Sequence, residues 1–385
     1  MSAYIVSLKQ AIKEIPQLIP LSSISSDYDS DSFGSPKISV IVPAYNEADN
    51  IQDCVTSILK SANFLAENIE VWVVDDRSTD KTWIILQALQ RSLKDPRLKL
   101  ISGLPQPEGQ KWTGKNWACA QAIKCAEGEF LLFIDADVRL KSGAIESALQ
   151  VALSEQADLL NCIPAWTCDS LTEWLVQPLM LINLLISLNS KIAKDPKTET
   201  AFAAGPFMLF RRSAYEKVGG HEAVADQVAE DVALARLIKH NGLKIEYRLG
   251  ANIATLRMYR SWGALWEGWT KVLYVGAQRN LLIMLYLAIV MLILYTVPWL
   301  GLLIILGKSL TVGLQTIDLL TIGINLIAVF FQYRLRKLAT NASNSPPKYW
   351  WLQGLGGILV AVIALDSVIK TESGWGWTWR GRALK

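Results

Sequence analysis

Between Leu281 and Gly307 the chain runs without a charged residue until Lys308. As a helix, such a run is long enough to cross a hydrocarbon core of roughly 30 Å. A backbone in that layer must satisfy its own N–H and C=O groups, so helix is the form open to it. Pro298 lies inside the run and implies a kink or a break. Two further apolar segments come after it. Ile317 to Tyr333 has Asp318 at its edge, and Tyr349 to Val368 opens on the interfacial anchor Tyr349-Trp350-Trp351 and is interrupted by Asp366. Three such segments in succession favour a membrane over buried soluble helices.

Upstream, residues 36 to 250 mix charged and apolar positions as a soluble α/β domain does. Tyr4 to Leu21, broken by Lys9, Lys13 and Glu14, reads as an amphipathic helix lying on protein or membrane, and Ser22 to Ser35 as a Ser/Asp-rich linker. The formal charge of +3 is too small to argue for nucleic acid. Basic residues near the apolar segments suit anionic lipid headgroups instead. Five cysteines without a Cys-x-x-Cys pair fit reduced thiols, and two histidines, His221 and His240, exclude a histidine-rich metal centre. No secretory signal is evident at the start, so the expectation is an integral protein of the cell (inner) membrane whose catalytic domain faces the cytoplasm. Arg334, Arg336, Lys337 and Lys348 fit a cytoplasmic loop after an outward and a return crossing. Lys370, Arg380, Arg382 and Lys385 conflict with a third full crossing. Either the last segment is re-entrant or interfacial, or the broken first segment crosses twice.

The soluble part alternates strand and helix signals. Ile38 to Val42 reads as a strand, with helical spacing at Ile51, Val55, Ile58 and Leu59 after it, where Asn46 or Asp49 can cap. Ile69 to Val74 is a strand ending in Asp75-Asp76, and Arg97 to Ser102 holds another. Phe130 to Ile134 is a short buried strand that ends in Asp135-Ala136-Asp137. This alternation predicts βαβ units and a mostly parallel sheet, with the strand ends on one rim. Asp135 and Asp137 either cap the next helix or converge on a hard divalent cation shared with a diphosphate. Gly114-Lys115 at a helix start either offers N–H groups and an ammonium to phosphate oxygens or is simply solvated. Asp75 and Asp76 lack the Gly-x-Gly-x-x-Gly of a dinucleotide site. Ala157 to Ile163 is a further strand, and Leu171 to Ile192 a helix with a wide apolar face, either core or acceptor-facing. Gly205, in Ala203-Ala-Gly-Pro-Phe207, permits close backbone approach to an acceptor or sugar. His221, beside Gly219-Gly220, reads as structural or exposed. Glu230-Asp231 opens a helix over Val232 to Lys239, and Arg257 to Trp269 suits a helix at the membrane interface.

Val-Pro-Ala-Tyr-Asn-Glu at 42–47, Val-Asp-Asp-Arg-Ser-Thr-Asp at 74–80, Gly114-Lys115, Asp135-Ala-Asp137 and Ala229-Glu230-Asp231 stand in the order and spacing of the inverting glycosyltransferases of family 2. Over roughly 38–240 the chain resembles that family. Trp-Thr-Gly-Lys-Asn-Trp-Ala and Arg-Met-Tyr-Arg-Ser-Trp at 257–262 resemble its membrane-anchored members that glycosylate carotenoids or hopanoids. The resemblance implies a GT-A (Rossmann-like) α/β domain followed by a C-terminal transmembrane helical region. It implies a donor site at Pro43, Tyr45, Glu47, Asp75 and Asp76, with Lys115 near the diphosphate. Asp135 and Asp137 would hold the ribose and a Mg2+ or Mn2+, and Asp231 would be the general base. Glu230, Gly205, Arg260 and Trp262 would face acceptor or diphosphate. Processive polysaccharide synthases of the family carry Gln-x-x-Arg-Trp, whereas here Arg257 replaces the Gln and Ser261 separates Arg260 from Trp262.

The expected organisation is an N-terminal helix and linker (1–35), a nucleotide-sugar domain (36–256), an interfacial helix (257–280), a transmembrane region of about three segments (281–370) and a tail (371–385). The expected reaction moves a sugar, with inversion, from a UDP- or GDP-linked donor to a hydroxyl of a membrane lipid. The partners are then the nucleotide sugar, the lipid acceptor and the bilayer. Rival readings are a polysaccharide synthase of the same family and a catalytically silent membrane scaffold.

Overall fold

The computed structural model describes residues 1–20, 36–62, 65, 67–187, 201–375, 378–379 and 382–383. The Ser/Asp-rich linker and residues 188–192 of the expected long helix lie outside the described residues. In chain order come α1 (Ser2–Glu14), β1 (Ile38–Ala44), α2 (Ile51–Ser61), β2 (Ile69–Asp75), α3 (Thr82–Leu93), β3 (Leu98–Ser102) and α4 (Gly114–Ile123). Next are β4 (Phe130–Ile134), β5 (Val138–Leu140), α5 (Ala144–Ser154), β6 (Leu159–Trp166), α6 (Leu171–Ser187), β7 (Phe207–Arg211), α7 (Arg212–Lys217), α8 (Glu230–His240) and β8 (Ile245–Leu256). The remainder is α9 (Trp262–Gly276), α10 (Leu281–Met291), α11 (Val297–Thr311), α12 (Thr316–Ser343), α13 (Gln353–Ser373), β9 (Thr378–Trp379) and β10 (Arg382–Ala383). These elements fall into two compact units. One is Ile15–Ala165 with Ser190–Arg257, and the other is Met1–Glu14, Trp166–Asn189 and Met258–Lys385.

In the first unit eight strands form one sheet in the order β3-β2-β1-β4-β7-β6-β8-β5. β3, β2, β1 and β4 run parallel. β7 is antiparallel to both β4 and β6, and β5 to β8, so the sheet is mixed. The sequence period identifies strands but not the direction of their pairing. β1, β2 and β4 are almost wholly buried, as expected of Val/Ile/Leu/Phe strands covered by helices on both faces. The chain moves outward from β1 to β3 and then crosses back to β4 on the other side of β1, which makes the β1/β4 boundary a topological switch point. Register does the rest. Ala44 pairs with Asp75, and Ile41 with Phe133, so Tyr45, Asp76 and Asp135 emerge on one rim. Ile134 opposes Phe207, which brings the segment before β7 to the same place.

In the second unit three helices are long and apolar enough to cross a membrane: Leu281–Thr311, Thr316–Thr340 and Trp350–Ser373. The first is continuous through Pro298, so the expected alternative in which it crosses twice does not hold. A wide π turn at Leu292–Thr296 absorbs the proline instead. Pro298 has no N–H for the Leu294 carbonyl four residues back. The Gln332 amide, fully buried on α12, donates to Leu294 O at 2.9 Å and Tyr295 O at 3.2 Å, and its Oε1 accepts from Trp299 Nε1 at 2.8 Å. The last helix tolerates Asp366 in a similar way, because its carboxylate accepts from Trp266 Nε1 at 2.6 Å and pairs with Lys370 at 3.3 Å. The interface helix starts at Trp262, five residues later than expected, because Ser261 Oγ caps it by accepting from Ala264 N. At the chain start the amphipathic pattern is used on protein. Leu8 and Ala11 of α1 are buried, and Tyr4 Oη donates to Asn183 Oδ1.

Gln332→Leu should therefore lower the stability of the detergent-solubilised chain by about 1–3 kcal/mol, the cost of stranding buried carbonyls. Adding Pro298→Ala, which restores an N–H opposite Leu294, should recover part of that loss. Thermal unfolding of the single and double variants checks both.

Candidate active site

The first two loops on the rim are stitched together by side chains, among them Asn46, which the sequence offered as a cap. Asn46, in the left-handed region at φ 53°, caps no helix. Its Oδ1 accepts from Thr79 N at 2.8 Å and Asp80 N at 3.3 Å, while its own N–H donates to Ser78 Oγ. Glu47 N donates to Thr82 Oγ1 at 2.8 Å, and the Glu47 carboxylate accepts from Asn50 Nδ2. Asp75 is buried; its Oδ2 accepts from Ser78 N at 3.2 Å, and its Oδ1 is buried without a hydrogen-bond partner. Asp76, also buried, is anchored by its N–H on Ala44 O and faces the Arg77 guanidinium at 3.9 Å. Pro43 and Tyr45 are half-buried at the end of β1.

Across the switch point the chemistry is concentrated on Lys115. Thr113 caps α4 by accepting from Asn116 N, which leaves Lys115 in the first turn. The Lys115 ammonium lies 2.7 Å from Asp135 Oδ1 and 2.7 Å from Glu230 Oε1. Burial by itself would lower its pKa, but the two carboxylates outweigh that and hold it well above the ordinary lysine range, so it is cationic throughout the neutral range. Asp231, next to Glu230, turns the other way. Its Oδ2 accepts from Gly205 N at 2.9 Å and its Oδ1 from Val232 N at 2.8 Å. Burial first, and the Glu230 charge second, push its carboxyl up to about 6, against the pull of Lys115 and of the two N–H donors. Gly205 sits against both groups. A Cβ there would stand 3.1 Å from Asp231 Oδ2 and 3.2 Å from Lys115 Nζ, so a larger residue would crowd carboxylate and ammonium together.

Three residues that the sequence did not single out hold this arrangement. Asn116, fully buried, donates to the carbonyls of Val224, Ala225 and Gln227, and so fastens the loop that delivers Glu230 and Asp231. Asn161 of β6 bonds Ala204 in both directions, at 2.8 and 2.9 Å, and Tyr247 Oη donates to Phe202 O. Those bonds fix the loop that presents Gly205. Their only signal is a polar residue inside an apolar pattern, which alone does not name a partner. His221 proves structural. It is buried against Phe133, shares a 2.8 Å hydrogen bond with Tyr215 Oη, and is pushed down to about 3 by burial and by Lys115, so it stays neutral. Arg260 and Trp262 belong to the helical unit, where Trp262 opens α9.

The donor set suits a hard cation only in company. Among the described residues no group of three or more His, Cys, Asp and Glu could hold a metal ion. Asp135 and Asp137 offer carboxylate oxygens on one rim, two residues apart and both half-buried, with one Asp135 oxygen already on Lys115. Those two residues fit a divalent cation whose remaining ligands come from phosphate oxygens and water.

The fold is a mixed, GT-A-like sheet domain followed by a C-terminal helical region. Residues 39–219, just under half of the chain, match the model of glycosyl transferase family 2. The 4,4'-diaponeurosporenoate glycosyltransferase of Staphylococcus haemolyticus (strain JCSC1435) is 27% identical over 260 residues, 67% of this chain and 66% of that protein. The protein of the same name from Staphylococcus aureus (strain MRSA252) is 27% identical over 249 residues, 64% of this chain and 63% of its own length. The chain thus matches just under two thirds of the length of these curated relatives. The mannosyltransferase PcManGT from Pyrobaculum calidifontis, solved in complex with GDP-Man and Mn2+, superposes with a TM-score of 0.55 over 96% of this chain and 94% of its own. At 17% identity that likeness is one of fold.

Asp231 is protonated more readily in the folded chain than in the unfolded one, so it costs no stability below about pH 4, an increasing amount from pH 4 to 6, and a constant amount above that. Asp231→Asn should accordingly be more stable than the parent at pH 7.5, by about 1–3 kcal/mol. The difference should hold down to about pH 6 and then shrink as the pH falls to 4. Paired melting curves across that range check it, and a gap that widens toward acid reverses the assignment.

Proposed function

We propose that this chain transfers one sugar, with inversion, from a nucleoside-diphosphate sugar to a hydroxyl of a membrane lipid of the carotenoid or hopanoid kind. The observation that carries the reading is that Asp231, its carboxyl raised to about 6, lies beside Gly205 together with a cationic Lys115 that pairs with Asp135 at the switch-point rim. A base must be largely ionised at working pH and still hold a proton well, and a carboxyl near 6 meets both demands. The names of the curated relatives support a carotenoid-like acceptor.

In this reading Tyr45, Glu47, Asp75 and Asp76 receive the nucleoside, and the partnerless Oδ1 of Asp75 accepts from a base N–H or a ribose hydroxyl. The Lys115 ammonium turns from its carboxylate partners toward the diphosphate and offsets the negative charge that develops as the bond from the anomeric carbon to the phosphate oxygen breaks. Asp231 takes the proton of the acceptor hydroxyl while that oxygen bonds to the anomeric carbon from the opposite face. One displacement inverts the configuration. Asp135 and Asp137 would hold a Mg2+ or Mn2+, which when bound supplies further charge neutralisation at the diphosphate. Gly205 and Glu230 border the base. We further read the three long helices as membrane spans of the cell membrane, with the sheet unit on the cytoplasmic face.

Asp231→Asn should cut turnover by about 10³-fold or more while the nucleotide dissociation constant stays within a few-fold, because the loss falls on the chemical step alone. Wild-type turnover should fall on the acid side with an apparent pKa near 6. Mass spectrometry of the products decides the class: a single hexose or deoxyhexose increment on a lipid supports the reading, a polymer points to the synthase, and no product points to the scaffold. Calorimetry should find Mn2+ bound weakly by the chain alone and at least tenfold more tightly with UDP or GDP present, since two carboxylates leave most coordination positions to the diphosphate.

A further inference from the structure

Within the helical unit a narrow cleft, open to solvent, lies between α6 and α12, lined among others by Trp166, Cys168, Gln177, Arg336 and Ser345. Arg336 is 5% exposed, and its guanidinium donates to Lys348 O at 2.9 Å. Its Nε–H is buried without a hydrogen-bond partner. Among the described residues no carboxylate pairs with it, in contrast to Lys308 and Lys370, which pair with Asp318 and Asp366. The hydroxyls lining the same space cannot answer a cation with charge. Thr340 donates to Arg336 O, Ser343 to Ala339 O and Ser345 to Trp166 O.

A guanidinium does not lose its proton, and a buried cation without a counter-charge is costly. Its planar fork matches a phosphate with two N–H donors. The level of the cleft narrows the source of such an anion. Arg336 lies in the last turns of the apolar stretch Thr316–Thr340, flanked by the exposed Arg334 and Lys337. Beside it, Lys348 Nζ stands over the rings of Trp174 and Tyr349, the mixture of aromatic and basic side chains that marks a headgroup layer.

We propose that this cleft is a binding site for the phosphodiester head of an anionic glycerophospholipid, with Arg336 as its charge partner. The proposal rests on reading Thr316–Thr340 as a membrane span, and it is independent of the sugar-transfer site. Exposed basic residues attract any anionic surface; a buried arginine with an open donor selects one headgroup and holds it. The lipid would bind the helices that anchor the enzyme, and bilayer composition would then act on their stability.

The test uses the full chain, delipidated in neutral detergent and titrated with short-chain phosphatidylglycerol, phosphatidylcholine or inorganic phosphate, with binding read by native mass spectrometry and melting temperature. The expected result is at least tenfold tighter binding of phosphatidylglycerol than of phosphatidylcholine, lost in Arg336→Gln and retained in Lys337→Gln. Hydrogen exchange on the wild-type chain provides a readout that needs no variant: phosphatidylglycerol should protect residues 166–178 and 336–345. Equal binding of the two lipids, protection elsewhere, or a preference that survives in Arg336→Gln overturns the proposal. Stabilisation by inorganic phosphate equal to that by phosphatidylglycerol overturns the lipid assignment in favour of a free-anion site.

Discussion

One ammonium group ties together the three segments that make the site. Lys115 comes from the first turn of α4, Asp135 from the end of β4 and Glu230 from the start of α8, and both carboxylates lie 2.7 Å from its nitrogen. Such a cluster contributes little net stability, because desolvating three charges offsets much of their attraction. What it confers is position. With Lys115 held between two carboxylates, the loop to α8 must approach the β4 rim, and Asp231 is then set against the Gly205 N–H. A buried ammonium and a carboxyl of raised pKa thus share one short stretch of rim, the preorganisation on which the proposed transfer rests.

The scaffold beneath that cluster is polar where it has to be. Asn116, Asn161 and Tyr247 use their side chains on backbone carbonyls and N–H groups of the loops at 224–227 and 202–207. Irregular loops lack partners for their own peptide groups, so buried amides from neighbouring elements supply them. The helical unit solves the same problem at Pro298, where Gln332 serves the carbonyls that a π turn leaves over. In each case a single buried amide replaces regular secondary structure as the source of hydrogen bonds.

Much of this was legible in the chain alone. The strands Phe130–Ile134 and Ile69–Asp75, the acidic residues closing them, and the three apolar helices can be read from local pattern, because burial and period are properties of neighbouring residues. Asn46 shows where local reading stops. As a residue before a helix it was a natural cap, yet its carbonyl oxygen serves Thr79 and Asp80 across the rim, since the β1/β2 register sets the two loops side by side. His221 was equally ambiguous until its burial beside Lys115 settled it as a neutral core residue.

Residue type and spacing were enough to set the alternation of strand and helix, the apolar spans and the identity of the acidic side chains. The tertiary structure alone decided that β7 runs antiparallel to β4, that Asp231 and not Glu230 is the carboxylate turned to Gly205, and that Arg336 lies buried with no carboxylate partner among the described residues. These depend on pairing direction and on desolvation by residues far away in the chain. Both are properties of the assembled fold, which no window of neighbouring residues contains.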